Sequence, residues 1–160
     1  MNETIVYWRY LPINHPKKIS HDKIREAIIH AATEWNKAFE NLVQFKEGNG
    51  ELQIYIAFDE KIDKNKTPNR IGECRVYSNP RKWEISFDMR NKWNVGGWRK
   101  WIGIGNDLRS TALHEFGHIM QLPHSTDPED IMYPDYNEKI QLDSKEIKLY
   151  RDFFISREDN

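Results

Sequence analysis

A single cysteine, Cys74, stands among 160 residues. It excludes an internal disulfide and any metal centre built on several thiolates, so a metal would have to be held by histidines and carboxylates. No apolar run approaches the ~18 residues that a membrane-spanning helix needs. Charge of one sign does not dominate either: 24 Lys+Arg stand against 25 Asp+Glu. Such a balance argues against a protein whose main work is holding a polyanion, and no specific nucleic-acid partner is expected. Repeats and low-complexity tracts are missing. The amino terminus, Met1 to Tyr10, lacks the charged, then apolar, then small-residue order of a secretory signal. What is present, 38% hydrophobic and 31% charged residues, suits a soluble globular chain. A chain of 160 residues suffices for one domain that hides roughly two-thirds of the surface its unfolded form exposes. One domain over residues 1–160, a monomer, is expected.

Patterning then orders the elements. Ile5 to Tyr10 is aromatic and β-branched and stops at Leu11-Pro12, which predicts a strand and a turn. Ser20 precedes Ile24, Ala27, Ile28, Ala31, Trp35, Ala38 and Phe39 at three- and four-residue steps, the pattern of a capped amphipathic helix. A short strand around Leu42 to Phe45 is followed by Gly48-Asn-Gly50 and by the alternating Leu52, Ile54, Ile56 and Phe58. Ile71 to Tyr77 and Trp83 to Asp88 are two further strands. A second helix is predicted over about 107–122, with Pro123 preventing its continuation. Residues 123–142 are irregular. A last helix, about 143–155, opens with the capping-box pair Asp143 and Glu146. This order predicts an α+β chain, or an α/β-type one, with a mixed sheet carrying helices.

Chemistry concentrates in His114-Glu-Phe-Gly-His118-Ile-Met-Gln-Leu-Pro-His124. Residues four apart share one helix face, so His114 and His118 can present two imidazoles to one ion while Glu115 flanks them. At this composition that pattern alone arises by chance about once in fifty such chains. His124 supplies a third nitrogen if the chain turns back after Leu122, which leaves the fourth position of a zinc ion open. Chance then falls below about one in a thousand. A zinc ion so held would lower the pKa of its water towards about 7, and Glu115 could deprotonate it and return the proton to a departing amine.

These residues resemble the metzincin zinc endopeptidases, and within them the matrixins. The eleven-residue zinc stretch with Ser125 after it carries one half of the likeness. Ile131-Met-Tyr-Pro134, similar to the family's Met-turn, carries the other. The resemblance extends from Ile5 to about Phe154. It implies a twisted, largely parallel sheet of about five strands with one antiparallel edge strand, plus three helices. It also implies Glu115 as the catalytic base, His114, His118 and His124 as zinc ligands, and Met132 as an apolar floor that does not ligate. An extended peptide or protein substrate would add alongside the edge formed by Ile71, Gly72, Glu73, Cys74 and Arg75. The pocket just beyond the cut bond would be walled by Pro134, Asp135 and Tyr136. The resemblance further implies an extracellular setting if the chain is a processed form.

Departures from the family pattern carry expectations too. Gln121 stands where the motif has Gly, and a left-handed backbone costs a non-Gly residue about 1 kcal/mol, so an altered turn into His124 is expected. No His lies between Ala31 and Leu113, and Ser86 and Arg75 occupy places expected for ligands of a second, structural zinc. That ion is predicted absent, as is calcium, given the short Asp59 to Arg70 connection. Lys61 to Trp101 holds eleven Lys+Arg and four Asp+Glu, interleaved with Trp83, Trp93, Trp98 and Trp101. Core or cleft lining is the expected role of these Trp residues, ahead of a stacking surface. The competing readings are an inactive zinc-containing module that captures peptides, a hydrolase of non-peptide amides, and a zinc site completed by Glu138 or Glu146.

Overall fold

The computed structural model describes residues 3–60, 70–77, 81–96 and 105–158. Strands β1 (Thr4–Tyr10), β2 (Val43–Glu47), β3 (Gln53–Asp59), β4 (Gly72–Tyr77) and β5 (Lys82–Asp88) form a sheet in the order β2-β1-β3-β5-β4. All neighbours are parallel except β4, which runs antiparallel to β5 along the outer edge. The mixed α+β architecture with one antiparallel edge strand is thus the one expected. Among the described residues there are three helices, α1 (His21–Ala38), α2 (Leu108–Ile119) and α3 (Ser144–Glu158). No helix among them is long and apolar enough to cross a membrane.

Alternation builds one buried sheet face. Val6 and Trp8 of β1 and Ile54, Ile56 and Phe58 of β3 are buried, with half-exposed residues between them. Helix α1 begins where Ser20 caps it, its side chain accepting from the Lys23 amide. It buries Ile24, Ala27, Ile28, Ala31, Ala32, Trp35 and Ala38, the stripe that a 3.6-residue period places on one side. Trp35 is fully buried, and its Nε1 donates to the Leu113 carbonyl at 2.8 Å, which fixes α1 against α2. Phe45 meets Phe116 edge-on at 5.0 Å and ties β2 to the same helix.

Most boundaries fall within a few residues of the patterned expectation, and the differences include three at β2, α2 and α3. Strand β2 runs on to Glu47. Helix α2 ends at Ile119, because Gln121 enters the left-handed region before Pro123 can act. Helix α3 starts at Ser144, with Asp143 outside it as the cap. The Asp143 and Glu146 side chains each accept the other's backbone N–H, at 2.9 and 2.8 Å. A further pairing, β6 (Trp93–Asn94) with β7 (Asn106–Asp107), has no signal in periodicity, because two-residue strands show none. Trp93 is 4% exposed and packs on Phe58 and Phe87, so its stacking face is core. Trp98, Trp101 and the parts of the basic stretch at 61–69, 78–80 and 97–101 lie outside the described residues.

Candidate metal centre and cleft

Helix α2 crosses beneath the outer edge of the sheet and opens with Asp107, whose carboxylate accepts the Arg109 amide. His114 and His118, one turn apart, face the same side, with ring centroids 4.8 Å apart. The helix then closes in a Schellman turn. The Gln121 amide donates to the His118 carbonyl at 3.0 Å and the Leu122 amide to the Gly117 carbonyl at 3.2 Å. Gln121 takes φ 59°, the left-handed conformation that glycine adopts without strain. The expected departure of this turn is therefore not seen; Gln121 adopts it. His124 comes back to lie 5.3 Å from the His114 ring and 4.9 Å from the His118 ring.

The hydrogen bonds of the first two rings settle their tautomers. His114 Nδ1 is 2.7 Å from the Ile131 carbonyl and His118 Nδ1 is 3.1 Å from the Leu122 carbonyl. A carbonyl only accepts, so each Nδ1 carries the hydrogen and each Nε2 presents a lone pair. Those two Nε2 atoms are 3.1 Å apart. Burial holds the His114 imidazole down to about 4, with the neighbouring His118 adding to the effect. His118 and His124 are lowered as well, by burial first and then by charges that include Arg70. Among the described residues these three side chains are the one group of three or more whose ligand atoms, all within 4.8 Å, can converge on an ion. Three neutral imidazoles, two of them held by backbone carbonyls, suit a borderline cation such as zinc. Glu146 is engaged elsewhere, accepting the Ile131 amide at 2.7 Å.

Glu115 sits next to this triad, 5% exposed, with its carboxylate against β4. Burial pushes its carboxyl up to about 8, while Arg70 pulls it down and Glu73 raises it. A Cβ on Gly72 would lie 2.6 Å from Glu115 Oε1, so the strand can approach this closely only because residue 72 is glycine. Met132 is fully buried, and its sulfur fills the space beside Gly117 that a Cβ there would need. The turn that carries Met132 closes from the Tyr133 amide to the Asp130 carbonyl at 3.1 Å.

A cleft of about 530 Å³ joins these parts. Its walls include Ile71, Gly72, Glu73 and Cys74 from the sheet edge, the three His and Glu115 from below, and Pro134, Asp135 and Tyr136 opposite. Arg75 is not among the lining residues; two positions beyond Glu73 on the same strand face, its guanidinium pairs with that carboxylate at 2.9 Å. Cys74 is half-buried, and this burial raises its thiol far above the ordinary value and keeps it protonated. The opposite wall is tied to α2: Tyr136 accepts the Asp107 amide at 2.7 Å, and the Ser110 hydroxyl donates to the Asn137 carbonyl at 2.6 Å.

Arg70, Ser110, Thr111 and Asn137, which residue patterning does not single out, also line the cleft, as do Ile131 and Tyr133 of the Met-turn-like stretch. For Ser110 and Thr111 a signal existed, since they precede His114 and Glu115 by one turn on the same face. For Arg70, whose guanidinium pairs with Glu73 at 2.9 Å, none did.

The sheet with one antiparallel edge, the helix with two imidazoles and the returning third imidazole together make a three-histidine centre beside a strand edge. The matrixin family model matches residues 3–154. The chain belongs to the matrixin family. Over 122 residues it is 29% identical to human matrix metalloproteinase-20, covering 73% of this chain and 24% of that protein. It is 27% identical to stromelysin-3 of Xenopus laevis, covering 83% of this chain and 28% of that protein. To human matrix metalloproteinase-26 it is 24% identical over 79% of this chain and 48% of that protein. The chain thus spans a quarter to a half of the length of these relatives.

Proposed function

We propose that residues 1–160 form one catalytic domain of a zinc-dependent endopeptidase that cuts extended peptide or protein substrates. The observation that carries this reading is the convergence of three neutral imidazoles beside a buried carboxylate, under an exposed strand edge. His114, His118 and His124 hold one zinc ion, and Met132 closes the floor of the site without ligating. Zinc, when bound, supplies Lewis acidity, acidifying a water and polarising the scissile carbonyl.

The chain's own residues do the rest. Glu115 accepts a proton from the attacking water and later delivers it to the leaving amine. A cation at the neighbouring imidazoles favours its ionised form, offsetting the burial that otherwise keeps it protonated. The β4 edge from Ile71 to Arg75 pairs with substrate backbone, and Pro134, Asp135 and Tyr136 receive the side chain after the cut bond. Zinc is the one resident ion in this reading, with neither structural zinc nor calcium. Arg75 and Ser86 are consistent with it, being engaged with Glu73 and with Glu84.

The test compares wild type with Glu115→Ala for cleavage of a peptide library, with metal content measured in both. Cleavage lost by 100-fold or more with one zinc retained is the expected outcome, the order seen when a general base is removed. Equal cleavage by both proteins would sink the assignment. One bound zinc with no cleavage by wild type would favour the peptide-capture module instead.

A further inference from the structure

Gln121 is strained on its own account. A non-glycine residue at φ 59° is disfavoured, yet this residue ends α2 and two metal-facing rings depend on the turn it makes. The Leu122 carbonyl, set by that turn, accepts from His118 Nδ1 at 3.1 Å. The same turn sends the chain on to His124 three residues later. Across the surface, Arg157 in the last turn of α3 reaches this one residue twice. Its Nη1 donates to the Gln121 backbone carbonyl at 3.4 Å, and its Nη2 donates to the side-chain Oε1. The guanidinium is steadied from below by the Phe153 ring, 5.6 Å from its carbon and one helical turn back.

We propose that Arg157 is a positioning residue for the metal centre: it holds Gln121 in the left-handed turn that aims His118 and His124. The two contacts discriminate between conformations. A Gln121 that relaxed to the ordinary right-handed or extended region would turn its carbonyl away from Arg157 and lose the pair. Glycine at 121 would need no such tether, because it enters this region without a Cβ penalty. The fork of the guanidinium suits the task, since it offers parallel donors to a backbone and a side-chain oxygen of one residue.

This inference rests on the zinc reading above, and its test is a double-mutant cycle read as zinc affinity by competition with a chromophoric chelator. The four proteins are wild type, Arg157→Ala, Gln121→Gly and the double variant, and each metal-free form is also melted. Arg157→Ala alone should weaken zinc binding about fivefold, the factor that corresponds to ~1 kcal/mol. In the Gln121→Gly background the same change should leave affinity within about twofold, the scatter expected of uncoupled sites. A merely structural role for Arg157 would weaken both backgrounds equally, and that result, or no weakening in either, overturns the proposal while leaving the zinc reading intact. Failure of wild type to take up zinc removes both.

Discussion

His114 Nδ1 donates to the Ile131 carbonyl at 2.7 Å, so the first metal-facing ring is aimed by the residue next to Met132. Ile131 is in turn held by α3, for its amide donates to Glu146 Oε1 at 2.7 Å. Glu146 is buried and also takes the Asp143 amide at 2.8 Å and the Lys139 ammonium at 2.8 Å. Beside it, Asp130 accepts the Met132 amide at 2.7 Å and the Tyr150 hydroxyl.

Glu146→Ala should therefore act at a distance. It leaves the buried Ile131 N–H without its partner, at a cost of about 1–3 kcal/mol, while the Lys139 ammonium keeps Asp143 and the Glu129 carbonyl. A lower Tm in thermal denaturation is expected, with zinc affinity reduced roughly 10-fold or more because the carbonyl that orients His114 shifts. An unchanged zinc affinity in the folded variant would separate α3 from the metal centre.

Gly72→Ala tests the closeness of β4 and Glu115. The new methyl would meet Glu115 Oε1 at 2.6 Å and Thr111 Cγ2 at 2.9 Å, so the carboxylate or the strand edge must move. A displacement of the base by about 1 Å costs on the order of 100-fold in turnover. Zinc binding should persist, since the atoms nearest the new methyl belong to Glu115 and Thr111 and not to an imidazole. Retention of full kcat in steady-state peptide cleavage would show that Glu115 tolerates the shift.

Stability of the metal-free protein should fall as pH rises from 6.5 to 8. Burial pushes the Glu115 carboxyl up to about 8, so the folded chain keeps a proton that the unfolded chain releases above its ordinary value of 4.5. With the folded form binding more protons, each rise in pH through this window favours unfolding. On the acid side the sign reverses. His114 is held down to about 4, so the stability carried by its neutral ring is present above 6.5 and lost as pH falls towards 4. In the chelator-treated protein, Glu115→Gln should flatten the alkaline limb and steepen the acid limb, because the Glu115 contribution opposes that of His114 between 4.5 and 6.5. An alkaline fall of the same size in that variant would assign it to another group.

The sheet and the zinc-type helix were legible in sequence because both write themselves in periodicity. Ile54, Ile56 and Phe58 alternate, Ile24 to Ala38 repeats at helical steps, and His114 and His118 stand one turn apart with Glu115 between. Contacts that join distant segments were not legible. Nothing in the spacing of Ile131 and Glu146, or of Gln121 and Arg157, announces that a helix end folds back on an amide or a strained carbonyl. The altered turn expected at Gln121 is not what the backbone shows, and the guanidinium that meets this residue lies 36 residues away in sequence. Gly72 gave no signal either, since its meaning depends on a carboxylate on another element.

The central claim, three imidazoles on one zinc, is tested most directly by zinc X-ray absorption spectroscopy on the zinc-loaded chain and on His124→Ala. The account predicts three imidazole nitrogens at about 2.0–2.1 Å in the wild type and two in the variant. A first shell with the same imidazole count in both proteins would contradict it.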